Sequence, residues 1–405
     1  MKFLVEDELS FDHCIDDKHN SDSSVVLRYM NALSFGPPEE DSKYKEILKE
    51  TSIREGVRIF HLLTYRGVEI HILDESSSMH TGTLKSIDGC ITISKCKLNG
   101  YERVVFESGG NTGTALTEYG QKAELETFFF IPEKNVSLLH GKVFEPDKAH
   151  LISVVDPGQV KAAAGLFEGL NGIRHIPQKA WRYEASTFRG FFVLELMMRH
   201  VKFDWLTQTI SAAFGPIGIY RVLRQCCKKM GDIPRFLGFQ QESNCPMYTS
   251  WKSKNKLAPT SSAGRRTDEE PLSKVMYDAA PYTYGTYDDL EGILTASRGD
   301  LARVGYSDFH GLLEHDFDGK SILDLLRENG VKIFEADGDV VEKTGLIALA
   351  GTLRAIIEGG ISRGSRVLCC LGSGTYEVDG KAKPEYRMSQ LESLLQDCHG
   401  MIYAE

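Results

Sequence analysis

The sequence predicts a two-lobed α/β protein with parallel sheets, and three observations lead to this fold class. Short apolar, β-branched runs alternate with stretches of helical spacing, an order typical of parallel strands joined by crossover helices. At 405 residues, the chain exceeds one compact core, so two lobes are expected. Three apolar runs end in glycine-rich turns, at residues 109–113, 215–218 and 372–374. Because ligands of open α/β sheets lie at the carboxyl ends of strands, the turns predict one shared pocket.

The composition narrows the class of protein. Hydrophobic residues make up 41% of the chain and charged residues 26%, as in ordinary globular proteins. The net charge of −10 argues against nucleic acid as a partner, because phosphate binding requires a basic surface. The most apolar run, 191–198, is too short and too charged to span a membrane. The nine cysteines include no Cys-x-x-Cys pair, so neither a metal site nor a disulfide framework is predicted, and a cytoplasmic location is expected.

The stretch from residue 104 to residue 132 is the clearest β–turn–α–β unit. A β-branched apolar run enters the turn Ser-Gly-Gly-Asn-Thr-Gly at 108–113, helical spacing follows, and a second apolar run ends in proline. The turn has two interpretations. Asn111, Thr112 or Thr114 can cap the helix, or the first N–H groups of the helix can hold an anion or the rim of a polar cofactor. The residues alone leave both open.

The remaining elements are predicted from spacing and turn residues. Residues 1–25 are expected to form a loose or partly ordered lead-in, and residues 253–273 a mobile loop. Helices are predicted at 43–55, 86–98, 159–170, 191–200, 221–230, 346–357 and 388–397. Strands are predicted at 70–73, 149–156, within 206–214, 236–240 and 367–371.

Four short motifs follow one another along the chain: Thr-Gly-Thr-Leu-Lys at 81–85, Ser-Gly-Gly-Asn-Thr-Gly at 108–113, Phe-Gly-Pro-Ile-Gly at 214–218 and Leu-Gly-Ser-Gly at 371–374. Their order resembles that of the fold-type II pyridoxal-phosphate enzymes, the group that holds threonine synthase, cysteine synthase and tryptophan synthase β. The resemblance implies the two-lobed, parallel-sheet fold of these enzymes. It also implies pyridoxal 5′-phosphate as cofactor, a small amino acid as substrate, and a homodimer.

The resemblance further implies domain boundaries and a subgroup. A large cofactor-binding domain would comprise residues 26–85 and 201–405, and a smaller mobile α/β domain, 86–200, would carry the Ser-Gly-Gly-Asn-Thr-Gly loop. Within the family, the layout is most similar to threonine synthase and cysteate synthase. Stretches at 279–282 and 344–351 look like parts of those enzymes.

Lys85 is the catalytic residue that the resemblance implies. It would form the Schiff base with the cofactor and later move the substrate Cα proton; the alternative is an exposed lysine at a helix start. Asn111 would hydrogen-bond the phenolic oxygen of the cofactor. The substrate carboxylate would lie at the helix N-terminus, whose charge suits an anion. The residues assigned to it are Ser108, Gly109, Gly110, Thr112 and Gly113.

Two later motifs complete the implied cofactor site. The cofactor phosphate is assigned to a turn in which Pro216 has no N–H group to donate. That turn consists of Gly215, Pro216, Ile217 and Gly218. Ser373, with Thr375 as a nearby substitute, would lie beside the pyridine nitrogen, where a neutral hydroxyl favours β- and γ-chemistry. For both motifs the alternative is a plain glycine turn. Arg182, Arg189 and His80 are further candidates for holding an anionic group of the substrate.

Departures from the family pattern lead to two functional hypotheses. Gly109 stands where the family usually has serine or threonine, and Ser-Ile-Asp follows Lys85 where many relatives have Asp-Arg. The first hypothesis is a lyase or synthase that eliminates and replaces a β- or γ-leaving group, such as phosphate. The second is a cofactor-binding paralogue with weak or no turnover that acts as a binding or regulatory module. A nucleotide-binding enzyme is a third option, but no Gly-x-Gly-x-x-Gly motif or Walker lysine supports it.

Overall fold

The computed structural model divides into two compact units. It describes residues 1–5, 8–199, 201–226, 233–254, 270–276, 284–333, 335–336, 339–340, 343–373 and 379–389. Within these, the first unit takes in residues of 1–35, 54–84 and 183–376, and the second takes in residues of 36–53, 85–182 and 377–405. The units differ from the implied domains because residues 36–53, Lys85 and residues 379–389 group with the second unit and residues 183–199 with the first. The assignment of a cofactor domain and a mobile domain stays a prediction.

The strands are numbered in chain order. They are β1 (Lys2–Phe3), β2 (Leu33–Ser34), β3 (Arg58–Tyr65), β4 (Val68–Asp74), β5 (Arg103–Glu107), β6 (Glu126–Pro132), β7 (Ala149–Val154), β8 (Arg174–His175), β9 (Trp205–Thr209), β10 (Arg235–Gln241), β11 (Asp300–Val304), β12 (Glu335–Ala336), β13 (Asp339–Val340), β14 (Arg366–Leu371) and β15 (Tyr386–Met388).

The helices follow the same numbering. They are α1 (Glu8–Asp12), α2 (Val25–Tyr29), α3 (Pro38–Thr51), α4 (Lys85–Leu98), α5 (Asn111–Lys122), α6 (Val160–Asn171), α7 (Lys179–Met198), α8 (Phe214–Cys226), α9 (Pro246–Ser253), α10 (Tyr287–Ser297), α11 (Tyr306–Glu314), α12 (Ile322–Glu328) and α13 (Thr344–Ile357). Among the helices of the described residues, none is long and apolar enough to cross a membrane.

The main sheet of the first unit has the strand order β11-β10-β9-β14-β4-β3. Its strands pair in parallel, except that the edge strand β3 is antiparallel to β4. Val367 of β14 lies opposite Ile70 on one side and Trp205 on the other. Parallel neighbours end at the same edge of a sheet, so the turns that follow β9, β14 and β4 leave from adjacent positions. Alternate residues of β4 and β14 share one buried core with α13.

The sheet of the second unit has the order β15-β7-β6-β5-β8, with every pair parallel. Successive side chains of a strand point to opposite faces. Phe128 of β6 therefore packs on Phe167 of α6, with ring centroids 5.0 Å apart, whereas Phe129 meets Phe106 at 5.6 Å on the other face. Helix α6 covers the first face, and α5 covers the second, where Gly113 contacts the Phe129 ring. Burial on both faces explains the near-continuous apolar runs in β5 and β6.

The structure confirms the predicted α/β class and most of the predicted elements. Glycine and other turn residues correctly indicated where helices and strands end. Gly172, for example, terminates α6 with a φ of 63°. The predicted helix at 388–397 is wrong at its start, because Met388 pairs with Val154 at the end of β15; residues 390–397 lie outside the described residues. Residues 255–269 of the predicted loop and the stretch 279–282 also lie outside them. The lead-in contains β1 and α1.

Candidate active site

Helices α4 and α5 of the second unit pack side by side and run in the same direction. A Cβ atom built on Gly89 would lie 2.9 Å from the carbonyl oxygen of Ala115. One turn further along both helices, a Cβ atom built on Gly120 would lie 3.9 Å from Cδ1 of Ile93. The contacts advance in step, which is possible only if the two helices are parallel. The absence of a side chain at Gly89 lets the two backbones approach closely there.

Each of these helices begins with a residue that was assigned to the cofactor. Lys85 is the first residue of α4, and Asn111 is the first residue of α5. Because the helices are parallel, both residues lie at the same end of the pair. The Lys85 side chain is 23% exposed, so its amine is neither sealed in the core nor fully solvated. The Asn111 side chain is half-buried.

The turn that precedes α5 is built on Gly110. Gly110 has a φ of 152° and a ψ of −83° and is the N-cap of α5, without a side-chain capping bond. A residue with a Cβ atom rarely adopts this φ, so the turn requires glycine. The capping interpretation is therefore wrong for Asn111, Thr112 and Thr114, which lie inside the helix. Thr114 Oγ1 instead donates to the carbonyl oxygen of Gly110 at 3.2 Å.

The loop assigned to the substrate is anchored at three points. The Gly110 N–H donates to Ser108 Oγ at 3.1 Å. Asn135 Nδ2 donates to the carbonyl oxygen of Gly109 at 2.8 Å, and Asn135 is only 1% exposed. A Cβ atom on Gly113 would lie 2.1 Å from the Phe129 ring, so Gly113 allows the first turn of α5 to sit on the sheet. Packing thus explains Gly113, and its role toward a substrate stays a prediction.

Asn135 is a residue that sequence reasoning missed. It follows β6 by three residues and lies 26 positions from the carbonyl group that it binds. Its Oδ1 atom is buried and has no hydrogen-bond partner among the described residues. An asparagine in a polar stretch after a strand carries no distinguishing signal, so only the folded chain reveals this contact.

Lys85 forms an ion pair within the first turn of α4. Its Nζ atom lies 2.8 Å from Oδ2 of Asp88, three residues further on. Asp88 is 3% exposed, and its other oxygen, Oδ1, has no hydrogen-bond partner among the described residues. The departure from the family pattern after the lysine thus places a buried carboxylate next to the amine. This partner was not recognised from the sequence.

In the first unit, the residue before Lys85 is bound to the end of β14. The Leu84 N–H donates to the carbonyl oxygen of Gly372 at 2.9 Å, and Thr83 forms an antiparallel bridge with Ser373. A Cβ atom on Gly372 would lie 2.5 Å from Cδ2 of Leu84, so glycine is needed for this approach. Ser373 is 1% exposed. Thr375, its predicted substitute, lies outside the described residues.

The turn assigned to the cofactor phosphate lies in the first turn of α8. A Cβ atom on Gly215 would lie 2.4 Å from Nη1 of Arg189, and one on Gly218 would lie 2.2 Å from Cβ of Ser186. Both neighbours belong to α7. The two glycines therefore allow α8 to pack closely on α7, which supports the plain structural alternative for them without testing the phosphate role.

The N–H groups of this turn are not equivalent. Pro216 has none, and the Ile217 N–H donates to the carbonyl oxygen of Ala213 at 3.3 Å. Ala213 has a φ of 59°, a conformation that costs free energy in a residue with a side chain. A phosphate at this turn would have to rely first on the N–H of Gly215, since the helix already uses that of Ile217.

Arg189, a candidate for holding an anionic substrate group, is a structural residue of the first unit. Its Nε and Nη2 atoms donate to the two oxygens of Glu75, each at 2.5 Å, and Nη2 also contacts Gln208 Oε1 at 3.2 Å. The side chains of Arg189 and Glu75 are 1% and 0% exposed. The guanidinium charge is thus matched by Glu75 inside the protein, and contact of Arg189 with an anionic substrate group stays a prediction. His80 is exposed and Arg182 is half-buried.

Another ion pair of the second unit involves the residue that directly precedes the loop assigned to the substrate. Glu107 ends β5, directly before Ser108, and accepts a hydrogen bond from His175 Nε2 at 2.5 Å. Burial by itself lowers the pKa of His175, but the hydrogen bond and the charge of Glu107, with Glu168, outweigh it, and the pKa is raised from its usual value. The imidazolium form of His175 therefore stabilises the carboxyl end of β5.

The predicted site residues fall into two groups. Lys85, Asn111 and the loop 108–113 share one end of the α4–α5 pair in the second unit. The turn at 215–218 and Ser373 follow the adjacent strands β9 and β14 of the first unit, at the same edge of the sheet. Strand order explains the second grouping, since residues far apart in sequence meet where parallel neighbours end.

The chain is similar to known proteins in sequence and in fold. No protein-family model matches the sequence. Two cysteate synthases, from Methanosarcina barkeri and Methanosarcina acetivorans, are each 22% identical to it, and the aligned regions cover 81% of this chain and 76% of each relative. The sequence similarity confirms the predicted resemblance to the cysteate synthase group.

Two solved structures share the fold. O-ureido-L-serine synthase with bound O-ureido-L-serine aligns with a TM-score of 0.53 at 11% identity, covering 89% of this chain and 94% of that one. A pyridoxal 5′-phosphate-dependent aspartate racemase aligns with a TM-score of 0.58 at 13% identity, covering 83% of this chain and 95% of that one. The predicted fold class is confirmed by these likenesses.

Proposed function

We propose that this chain is a pyridoxal 5′-phosphate-dependent enzyme of fold type II, a lyase or synthase. It eliminates a substituent from the side chain of a small O-substituted amino acid and replaces it with a nucleophile. The parallel pairing of α4 and α5, which begin with Lys85 and Asn111, is the observation that carries the proposal. The similarity to cysteate synthases and the fold shared with O-ureido-L-serine synthase support the substrate class.

The residues present fit an aldehyde cofactor. The Lys85 amine is partly exposed, as reaction with an aldehyde requires. The start of α5 carries no side-chain cap, so its first N–H groups face outward from the helix toward an anion. When bound, pyridoxal 5′-phosphate supplies an electron sink that stabilises negative charge at the substrate Cα atom.

Lys85, Asn111 and the loop at 108–113 have separate roles in this proposal. Lys85 binds the cofactor aldehyde through Nζ and, once released, removes and holds the proton of the substrate Cα atom. Asn111 orients the ring by a hydrogen bond to its hydroxyl oxygen. The loop that contains Ser108, Gly109, Gly110, Thr112 and Gly113 binds the substrate carboxylate at the start of α5.

We assign the remaining cofactor contacts to the first unit. The N–H of Gly215 heads the phosphate contacts, within the turn that also contains Pro216, Ile217 and Gly218. Ser373, with Thr375 as its substitute, lies next to the pyridine nitrogen in this proposal. A neutral hydroxyl there leaves the nitrogen unprotonated and favours loss of a side-chain substituent.

The proposal includes a cytoplasmic homodimer. The cysteines of the described residues are free thiols, which suits a reducing compartment. Light scattering of the purified protein tests the dimer: a mass near 90 kDa, about twice the 45.2 kDa of one chain, is expected.

The central experiment compares Lys85→Ala with a matched control, Lys45→Ala. Lys45 belongs to the same unit but pairs with Asp41 on α3, at 2.8 Å. Purified protein is mixed with the cofactor and then with O-phosphoserine, O-phosphohomoserine or O-acetylserine, and visible absorbance and release of the substituent are measured. We expect wild type and Lys45→Ala to bind the cofactor and turn over, and Lys85→Ala to lose roughly 1,000-fold or more of the activity.

Three outcomes would change the conclusion. A wild-type protein that binds no cofactor would overturn the proposal. Cofactor binding without turnover of any substrate would favour a regulatory or binding module, a candidate that rests on the departures at Gly109, Pro216 and Ile217. Exchange of the substrate Cα proton with solvent, without loss of the substituent, would indicate racemisation, the reaction named for the aspartate racemase with the same fold.

A further inference from the structure

We infer that Asp88 is a positioning residue for Lys85: its buried carboxylate holds the amine at the start of α4. The role of this pair in turnover rests on the proposed function, whereas the pair itself does not. The family pattern assigned no role to Asp88, which belongs to the Ser-Ile-Asp stretch that follows Lys85 where many relatives have Asp-Arg.

The geometry of the pair is specific. A spacing of three residues puts Lys85 and Asp88 on one face of the helix, and Nζ lies 2.8 Å from Oδ2. The carboxylate is 3% exposed, while the lysine side chain is 23% exposed. The Asp88 carboxylate is therefore buried within the protein, and the Lys85 amine is the more accessible partner.

The second carboxylate oxygen points to a functional constraint. Oδ1 of Asp88 is buried without a hydrogen-bond partner in the described part of the chain. A buried carboxylate oxygen without a partner destabilises a protein. An apolar side chain would avoid that cost, so stability alone does not account for an aspartate here. The contact with the Lys85 amine is what the aspartate supplies in return.

The charges around Lys85 act in opposite directions. The N-terminus of a helix disfavours a positive charge, whereas a carboxylate oxygen 2.8 Å from Nζ favours it. Asp88 is thus a group that can hold a charged Lys85 amine at the start of α4.

This balance suits a residue that takes up a proton. In the proposed reaction the Cα–H bond of the substrate breaks, an N–H bond forms on Lys85, and the electron pair stays on the substrate. The amine becomes an ammonium ion, and Asp88 stabilises that product of the step. Asp88 touches neither the substrate nor the reacting carbon and acts only through Lys85.

The test begins with protein that carries no cofactor. The rate at which acetic anhydride modifies each lysine at neutral pH is measured by mass spectrometry of peptides, because only the neutral amine reacts. We expect Asp88→Asn and Asp88→Ser to raise the rate at Lys85 about tenfold, and Asp88→Glu to leave it near the wild-type rate. Asp41→Asn, which removes the carboxylate next to Lys45, is the control and should leave Lys85 unchanged.

The second arm uses the cofactor-loaded enzyme. Asp88→Asn is expected to lower kcat about tenfold with KM within roughly twofold, and Asp88→Glu to restore kcat. An unchanged Lys85 rate in both Asp88→Asn and Asp88→Ser overturns the inference whatever the enzyme does. A protein that binds no cofactor but shows the tenfold rate increase overturns the proposed function and leaves the Lys85–Asp88 pair intact.

Discussion

The Lys85–Asp88 pair and the Arg189–Glu75 pair are both ion pairs with a buried carboxylate, yet they are built differently. Arg189 donates two parallel hydrogen bonds to Glu75, and neither side chain is more than 1% exposed. Lys85 makes a single bond to Asp88, and its own side chain remains 23% exposed. The first pair joins residues 114 positions apart, whereas the second lies within one helical turn.

The difference teaches how a charged pair can serve either the fold or the chemistry. A bidentate arginine–carboxylate pair is planar and rigid, and the guanidinium cannot lose its proton in a protein. Such a pair suits a contact that stays closed, such as the Arg189–Glu75 pair next to Gly215. A lysine ammonium is a compact charge on a flexible stem and can lose its proton. It suits a group that must release its partner and react.

The largest effect on stability is expected from removing one charge of the buried Arg189–Glu75 pair. Arg189→Met leaves Glu75 buried without its counter-charge, and loss of one partner of a buried pair costs about 3–5 kcal/mol. The free energy of unfolding in urea is the measurement. The double variant Arg189→Met with Glu75→Leu removes both charges and should recover most of the loss. If the single and double variants were equally unstable, packing around the arginine, and not the unpaired charge, would be the cause.

An intermediate effect is expected for His175 and Glu107, whose side chains are 27% and 14% exposed. The raised pKa of His175 means that its stabilisation is complete below the unfolded value of about 6.5 and is lost as pH rises through the folded value. His175→Gln should therefore cost about 1 kcal/mol near pH 5.5 and much less near pH 9. Urea unfolding of wild type and variant across this range measures it. A cost that grew toward alkaline pH would have the wrong sign.

The smallest effect on stability is expected from Asp88→Asn. Asparagine has nearly the same shape, and the exposed Lys85 amine can turn to water, so no charge is left buried. We expect a change in the free energy of unfolding below about 1 kcal/mol, together with the tenfold change in Lys85 reactivity. That combination would sharpen the contrast with Arg189. A loss of about 3 kcal/mol or more would instead place Asp88 among the residues that hold the fold.

Much of the fold could be predicted because the relevant signals are local. Strands β4, β5 and β14 were recognisable as short β-branched runs, and α4 and α5 as helical spacing after turn residues. The site was predictable to the extent that it depends on motifs, which picked out Lys85 and Asn111. The predicted helix caps were wrong, because three polar side chains near the start of a helix are compatible with several first residues. The φ of 152° at Gly110 decided among them.

The sequence by itself determined the α/β class and the order of its elements, and its motifs picked out Lys85 and Asn111, because hydrophobic period and turn chemistry act over a few residues. Only the tertiary structure decided that Asn135 holds Gly109, that Glu75 neutralises Arg189 and that Gly215 and Gly218 serve helix packing. The physical reason is distance along the chain. Partners tens of residues apart are chosen by which side chains the packed strands and helices bring within hydrogen-bond reach, and no local pattern encodes that choice.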